Sequence, residues 1–570
     1  MLRLRHRALV QQILNLNQPI SDSDHQTSLR WKVLIYDQRG LSILSTLLKV
    51  AKLLEVGVTF YGSITQKREP IPDVSAVYLL EPTPENLRLI AQDCAAPLYD
   101  QMYINFLSPI SSQDLENFAS QVNQYSDGQC IHSIFDQYIE FSSLDPNLFT
   151  LFGNKYMRHT NPNTYILDRE RDDTMSAIFG FRTTDEALEN MCKTIGNGLA
   201  SVFLTAGEIP RILYPIKNDS PVELVYQAFA EVIKPLSQNF ELWGSRRSID
   251  SNSTSKPPLL IIFDRSIDFA SQIHHPCTYQ ALIHDQFGIN KNEVKVNGES
   301  FDLDTDIDKL WAENRGKTFD TVLETIGKEA SQFISLYGAI DNDINSALNN
   351  LPELSHQRLS LGTHTKISDA LVKVVKEKKA AEIFKFEEDI VLQPGSVDVT
   401  KLTDFLITIP EQKDRIRLAT FAYLCKVFSI DQIETVRTQG QIESNLNFLT
   451  RYDSFKIEFK KGYKLVNFIQ NVSPFGSQSE SSALAEKLPV IETTKRLLMD
   501  NIDGFKLQNP IGSNTNPNEE IGNVYVFIVG PGNYVEYNGL MELGKQKNIE
   551  ITYGCTSMMR PSDFIDILQE

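Results

Sequence analysis

The sequence predicts an α/β protein interrupted by a largely helical insertion. Three observations predict it. Strand-like and helix-like runs alternate over residues 30–141 and again over roughly 145–263. From about 278 to 470 the chain reads as mostly helical. A short α/β pattern then returns at 523–568. Alternation of this kind means βαβ units, with a parallel sheet and helices on its faces.

The elements follow in order. The opening MLRLRHRALVQQIL carries three arginines and no apolar stretch of secretory type. Leu9, Ile13 and Leu16 fall on one side of an amphipathic helix, a reading preferred to a mitochondrial presequence. Strand signals come at KVLIYD (32–37), VGVTFYG (56–62), SAVYLL (75–80), MYINFL (102–107) and IHSIFDQYIEF (131–141). Helices are expected between them at 41–55, 84–94 and 112–124. In the last, Leu115, Phe118, Ala119 and Val122 recur at i, i+3, i+4, i+7 and form one apolar stripe. PIPD (70–73) and EPTPEN (81–86) are read as breaks outside regular elements.

The second stretch holds a helix near 184–204, the strand RILYP (211–215), a helix near 220–241 and the strand LLIIF (259–263). GSRRSIDSNSTSKPP (244–258) is a polar linker between the last two. In the helical block, KISDALVKVVKEKKAAEIF (366–384) and DRIRLATFAYLCKVF (414–428) are the clearest helices. Residues 473–483 and 509–520 are low in apolar content and are expected to be mobile. The returning pattern is strand 523–530, helix 534–546, strand 549–554 and helix 561–568. Two strands are marginal alone. They are expected to join the sheet begun at 145–263, which makes that domain discontinuous.

Composition narrows the function. A chain of 570 residues suggests about three or four domains. The net charge is −18 and the pI near 5.1. Such a field repels phosphate backbones and anionic lipid, so no nucleic-acid partner is expected. The six cysteines include no C-x-x-C pair, which fits a reducing compartment. No apolar run approaches the about 20 residues of a membrane span. The reading is a soluble, cytoplasmic protein.

No catalytic constellation emerges. There is no G-x-x-x-x-G-K-[ST] and no G-x-S-x-G. Gly530-Pro531-Gly532 sits between a strand and a helix, but Val535 stands where a third glycine would be. Pro531 also removes a phosphate-cradling N–H, so this is read as a tight turn. His274, His275 and His284 lack H-E-x-x-H spacing and are read as ordinary polar or capping residues; no metal or cofactor is expected. Asp264 and Asp268 flank Arg265 and are read as a structural Asp–Arg pair. Lys373, Lys376, Lys378 and Lys379 are read as a solvated helix face. The balance favours a binding protein over an enzyme, with a nucleotide-binding α/β enzyme as the rival.

Particular strings carry a resemblance. LLIIFDRSIDFASQIHHPCTYQALIHDQF (259–287) resembles the signature of the SM (Sec/Munc) family, the syntaxin-binding chaperones of SNARE assembly. NVYVFIVGPGNYVEYNGLMEL (523–543) and YGCTSMMRPSDFIDIL (553–568) look like that family's C-terminal segment. KVLIYD, PIPDVSAVYLLEPTPENL (70–87) and IFDQYIEF (134–141) look like its Sly-type branch, which serves ER–Golgi traffic. The resemblance implies a three-domain arch of two parallel-sheet α/β domains and a largely helical inserted domain. The boundaries are 1–141, 142–265 plus 484–570, and 266–483. It further implies no covalent chemistry and no cofactor. The partners implied are a syntaxin-type Qa-SNARE (its N-terminal peptide and its SNARE helix), other SNAREs, assembled bundles and tethering factors. The location implied is cytoplasmic, held at ER and Golgi membranes through those partners; another SM-served step (endosomal, vacuolar or plasma membrane) is the alternative.

Two sites carry over by resemblance. The branch binds a syntaxin N-terminal peptide between a helix and the following strand, here 112–124 and 131–141. The candidates are Phe118, Val122, Ile134, Phe135 and Tyr138. Alternation places Phe135, Ile139 and Phe141 on one face and Ile134 and Tyr138 on the other. Phe118 and Phe135 also fit a plain core role, so Val122 leads, and Val122→Arg is expected to abolish binding in a folded protein. The second site is a SNARE-templating hairpin. NNLPELSHQRLSLGTHTKISD (349–369) resembles it, with Pro352 at the hinge. The branch commonly has a long loop with an amphipathic helix before this hinge. Only GKEASQFISLYGAIDNDINSA (327–347) stands there, so loop-based autoinhibition and membrane contact do not carry over.

Overall fold

The computed structural model describes residues 2–18, 30–95, 98–152, 184–216, 221–239, 243, 256–340, 344–393, 395–451, 488–498, 504–512 and 521–569. Residues 473–483, most of 509–520 and most of the 244–258 linker lie outside them. The chain forms two compact units. One takes residues 1–262, 505–529 and 549–557; the other takes 263–504, 530–548 and 558–570.

The first unit holds two sheets. One is five-stranded, built from β1 (Lys32–Tyr36), β2 (Val58–Ser63), β3 (Ser75–Leu80), β4 (Met102–Phe106) and β5 (Ile131–Asp136). All its pairings are parallel, in the order β2-β1-β3-β4-β5. Continuous apolar runs such as Val33-Leu34-Ile35 are buried because helices cover both faces. The helices are α1 (Leu2–Leu14), α2 (Gln38–Leu47), α3 (Val50–Glu55), α4 (Pro84–Ala95) and α5 (Ser112–Tyr125).

Several expectations need correcting here. The helix read at 41–55 is two helices, since Leu48 is extended. Part of EPTPEN is helical: α4 begins at Pro84, where a missing N–H does no harm. Thr83 Oγ1 accepts the Asn86 N–H at 3.2 Å and stops the fraying of that end. α1 is more than one-sided, because Arg3, Arg5 and His6 are buried with Leu9, Val10, Ile13 and Leu14. The Arg3 guanidinium donates to the Thr46 carbonyl at 3.0 Å, which satisfies a helix-end acceptor of α2.

The other sheet has seven strands in the order β13-β8-β9-β14-β15-β7-β6. They are β6 (Ser142–Asp145), β7 (Leu148–Thr150), β8 (Arg211–Pro215), β9 (Leu259–Asp264), β13 (Phe505–Gln508), β14 (Val524–Val529) and β15 (Ile551–Cys555). Both late strands, β14 and β15, stand at its centre beside β9 and β7. The helices Asp185–Ala206 and Pro221–Leu236 pack on it through Phe203, Phe229 and Leu199. Gly554 lies under the Phe149 ring, where an added Cβ would come within 2.1 Å of it. Only glycine admits that contact.

The second unit is mostly helical, with an exception. β10 (Ile289–Asn290), β11 (Glu293–Val296) and β12 (Glu299–Asp302) form a three-stranded antiparallel sheet inside the stretch read as helical. Its turns, Lys291-Asn292 and Asn297-Gly298, have positive φ at every central residue. That is the hairpin conformation Asn-Gly favours, and the alternation of Val294 and Val296 with Glu293 and Lys295 was its sequence signal. The helix read over 366–384 is also two, Ile344–Lys378 and Ala380–Leu392. Lys379, at φ +55°, breaks it. The helix read at 414–428 runs Gln412–Leu424.

Candidate partner-binding surfaces

The first candidate site lies at α5 and β5. Ser111 caps α5: its hydroxyl accepts the Asp114 N–H at 3.0 Å and donates to the Asp114 carboxylate at 2.6 Å. Gly128, at φ +73°, turns the chain from α5 into β5, which a residue with a Cβ would resist. β5 is an edge strand, paired with β4 alone. The predicted apolar stripe of α5 divides. Phe118 and Val122 are 2% and 5% exposed and sit in the core with Tyr78, Ile90 and Ile104. Leu115 and Ala119 are exposed.

The register separates the other candidates. Ile134 is opposite Ile104 and Phe135 opposite Asn105. Paired residues in a parallel ladder share a face. Ile134 therefore lies on the α5 side with Phe118 and Val122, and Phe135 lies on the other side. Ile134 and Phe135 are 36% and 40% exposed, so Phe135 is not a core residue. Strand alternation does not reach Tyr138. β5 ends at Asp136, and Tyr138 has φ +52°. Tyr138 packs instead against the core of the seven-stranded sheet. Ile139 and Phe141, expected on one face, enter different cores. The structure thus puts Ile134 on the side of the sheet where Phe118 and Val122 are buried, Phe135 on the other side and Tyr138 beyond the strand.

Pro352 lies within the helix Ile344–Lys378. A proline there cannot donate its backbone hydrogen bond and weakens the helix at that turn.

Several charged and polar residues of the 259–287 signature make buried contacts within the protein. Arg265 and Glu536 are fully buried and make a two-pronged ion pair at 2.7 and 3.0 Å. Asp268, also buried, feels the Arg265 charge too, so the Asp–Arg pair read from sequence is joined by the distant Glu536. Asp264 and Asp268 also accept local hydrogen bonds from Ser266 and Ser271. The three histidines are buried and hydrogen-bonded. His275 contacts Glu387 at 2.8 Å; burial and Arg417 push its pKa down, but Glu387 and Asp414 outweigh them and hold it above the usual value. Arg417 grips Asp285 at 3.0 and 3.1 Å and the His274 carbonyl at 2.6 Å.

The Gly530–Gly532 turn is engaged by its own unit. The Pro531 carbonyl accepts from Arg265 at 3.4 Å, and the Gly532 carbonyl from Gln272 at 3.4 Å and from the Met559 N–H at 3.3 Å. The negative Glu536 already faces the start of the following helix, where a phosphate would compete with it. The five-stranded sheet reverses its winding between β1 and β3, the usual ligand crevice of such sheets. Asp37 fills it, accepting from Gly40, Glu81 and Asn86 at 2.7, 2.8 and 2.9 Å. Arg39 beside it donates to the carbonyls of Glu140, at 3.0 Å, and Leu151. Burial pushes the Glu81 and Glu140 carboxyls up to about 7. Among the described residues no His, Cys, Asp or Glu group converges on a metal position, and no helix is long and apolar enough to cross a membrane.

Comparison with known proteins decides the family. The Sec1 family model matches residues 32–567. The chain belongs to the Sec1 family. This Sec1-family chain is 27% identical to the Protein sly1 homolog of Drosophila melanogaster, over 99% of its own length and 97% of that relative. It is 28% identical to Protein sly1 of Schizosaccharomyces pombe, over 98% and 96% of the two chains. Human Sec1 family domain-containing protein 1 is 28% identical over 100% and 97%. Among solved structures, Sly1p in complex with an N-terminal peptide of Sed5p superposes with a TM-score of 0.78 at 24% identity, over 100% and 98% of the chains. Vps45 in complex with the Qa SNARE Tlg2 gives 0.76 at 17%, over 100% and 97%. These likenesses show the fold: this Sec1-family chain is built as SM proteins are, and its relatives place it in the Sly branch. The alignment to the Drosophila relative spans 658 positions against 570 residues here, so that relative carries insertions this chain lacks.

Proposed function

We propose that this chain is a non-enzymatic SM protein that binds syntaxin-type Qa-SNAREs and promotes SNARE assembly in ER–Golgi transport. The observation that carries the reading is the full-length Sec1-family match, joined to an exposed apolar edge at β5. The solved relatives hold a Sed5p peptide and Tlg2, which supports a Qa-SNARE as the partner class. The division into domains 1–141, 142–265 plus 484–570, and 266–483 is part of this proposal. So is a cytoplasmic protein held at ER and Golgi membranes by its SNARE partners.

The syntaxin N-terminal peptide docks between α5 and β5. Ile134 supplies the accessible apolar contact, and Phe118 and Val122 form the packed floor beneath it. Phe135 and Tyr138 are placed outside this contact and act only at its margin. Such interfaces centre on a few desolvated apolar anchors. Calorimetric titration with the cognate syntaxin peptide tests this. Ile134→Asp is expected to weaken binding at least tenfold with an unchanged melting temperature. An affinity within twofold of wild type would remove Ile134 from the site.

The helix Ile344–Lys378 templates SNARE helices, with Pro352 as its hinge. Pro352→Ala restores a helix hydrogen bond and is expected to favour the straight helix, which raises the rate of reconstituted SNARE assembly. An unchanged rate would refute the hinge.

A further inference from the structure

The long helix Ile344–Lys378 is seated along only part of its length. None of residues 354–363 is buried, and Leu359 is 67% exposed. Burial begins at His364 and continues through Ile367, Ser368, Ala370 and Leu371. The transition coincides with a polar cluster in which His364 and Tyr279 are buried and Asp308 and Ser360 are half-buried. The His364 ring is held at both nitrogens: Nδ1 is 3.0 Å from the Tyr279 hydroxyl and Nε2 is 3.1 Å from Asp308 Oδ2. Asp308 also accepts from the Ser360 hydroxyl at 2.7 Å, one turn earlier on the same helix. It caps the helix Lys309–Asn314 as well, taking the Trp311 N–H at 2.9 Å. The Trp311 ring stacks on His364 and the Phe319 ring on Tyr279, which leaves both hydrogen-bonded groups little freedom.

One carboxylate therefore ties two successive turns of the long helix to the start of another helix. Breaking the bonds at His364 leaves ring nitrogens of a fully buried side chain without partners, which costs more than losing an exposed bond. We propose that Asp308, His364 and Tyr279 clamp the long helix at its seated end and set the fixed point against which it bends at Pro352. His364 stands about three turns beyond Pro352. With the clamp closed, bending at the proline moves only the upstream part. With it open, the motion spreads into the seated part and the templating surface loses its register. These are positioning residues; for its function the proposal rests on the templating reading above, while its mechanics do not.

The test uses the full chain. His364→Phe keeps the ring stack and the volume but removes both hydrogen bonds. Hydrogen–deuterium exchange is expected to speed at least tenfold at the backbone amides of 358–368 and to stay unchanged in the seven-stranded sheet. Asp308→Asn, which retains the helix cap, is expected to give the same local pattern should His364→Phe fail to fold. His364→Gln, which restores one bond, is expected to recover part of the protection. Exchange within twofold of wild type in both main variants overturns the clamp. SNARE assembly is then measured with the same variants. Faster exchange with slower assembly supports the whole proposal. Faster exchange with unaltered assembly leaves the clamp standing and overturns the templating role of the helix.

Discussion

Burial decides what a substitution at each candidate position measures. Val122 is 5% exposed among core side chains, whereas Ile134 is 36% exposed on the same side of the sheet. Val122→Arg would force an unpaired charge into that core, at a cost of about 3 kcal/mol or more. It is expected to lower the melting temperature together with peptide binding. Ile134→Asp keeps the two effects apart. Sequence periodicity put Phe118 and Val122 on one face of α5, where both are buried, and the register puts Ile134 on the same side of the sheet. Alternation also put Phe135 on the opposite face, as the register has it, though exposed rather than core; it misplaced Tyr138 because alternation holds only while the strand continues. Nothing in IFDQYIEF announces that β5 stops at Asp136 or that Tyr138 turns left-handed. Both depend on where the chain must go next, which is a tertiary constraint.

At the scale of elements, long-range ion pairs fix strand ends and helix starts. The end of β9 is tied to the helix Tyr534–Lys547 through Arg265 and Glu536. Glu536→Gln takes the two-pronged carboxylate from a fully buried guanidinium and leaves Asp268 as a nearby negative charge. It is expected to lower stability by about 3–5 kcal/mol, read from the urea midpoint. Arg265→Met with Glu536→Leu is expected to recover most of the loss. The sequence showed Arg265 between two aspartates, and Asp268 does feel its charge; the two-pronged partner Glu536 is distant in the chain, so no local pattern could reveal it. The Arg39 cluster has a different signature. The folded-state value of Glu140, about 7, lies above its unfolded value of about 4.5. The folded state thus holds the proton more tightly, and stability falls as pH rises from about 4.5 to about 7. Glu140→Gln is expected to flatten that slope and raise the melting temperature at pH 8. A slope identical to wild type would remove Glu140 as its source.

At the scale of the whole molecule, the fold class and the order of strands and helices were legible because βαβ alternation is local. The antiparallel β10-β11-β12 sheet was lost inside a helical stretch, although its Asn-Gly turn was in view. The seven-stranded sheet has a consequence for synthesis. Its central strand β14 begins about 260 residues after β9 ends. At ~5–20 residues per second, a ribosome takes roughly 13 to 50 s to cover that distance. The five-stranded sheet can close long before then. During the interval β9 has β8 on one side and an open hydrogen-bonding edge on the other, in a strand of six apolar or capping residues, LLIIFD. The nascent chain therefore passes through a state that invites wrong strand pairing. For about half a minute of synthesis, the β9 edge is the part of this fold that most needs to be kept from other strands.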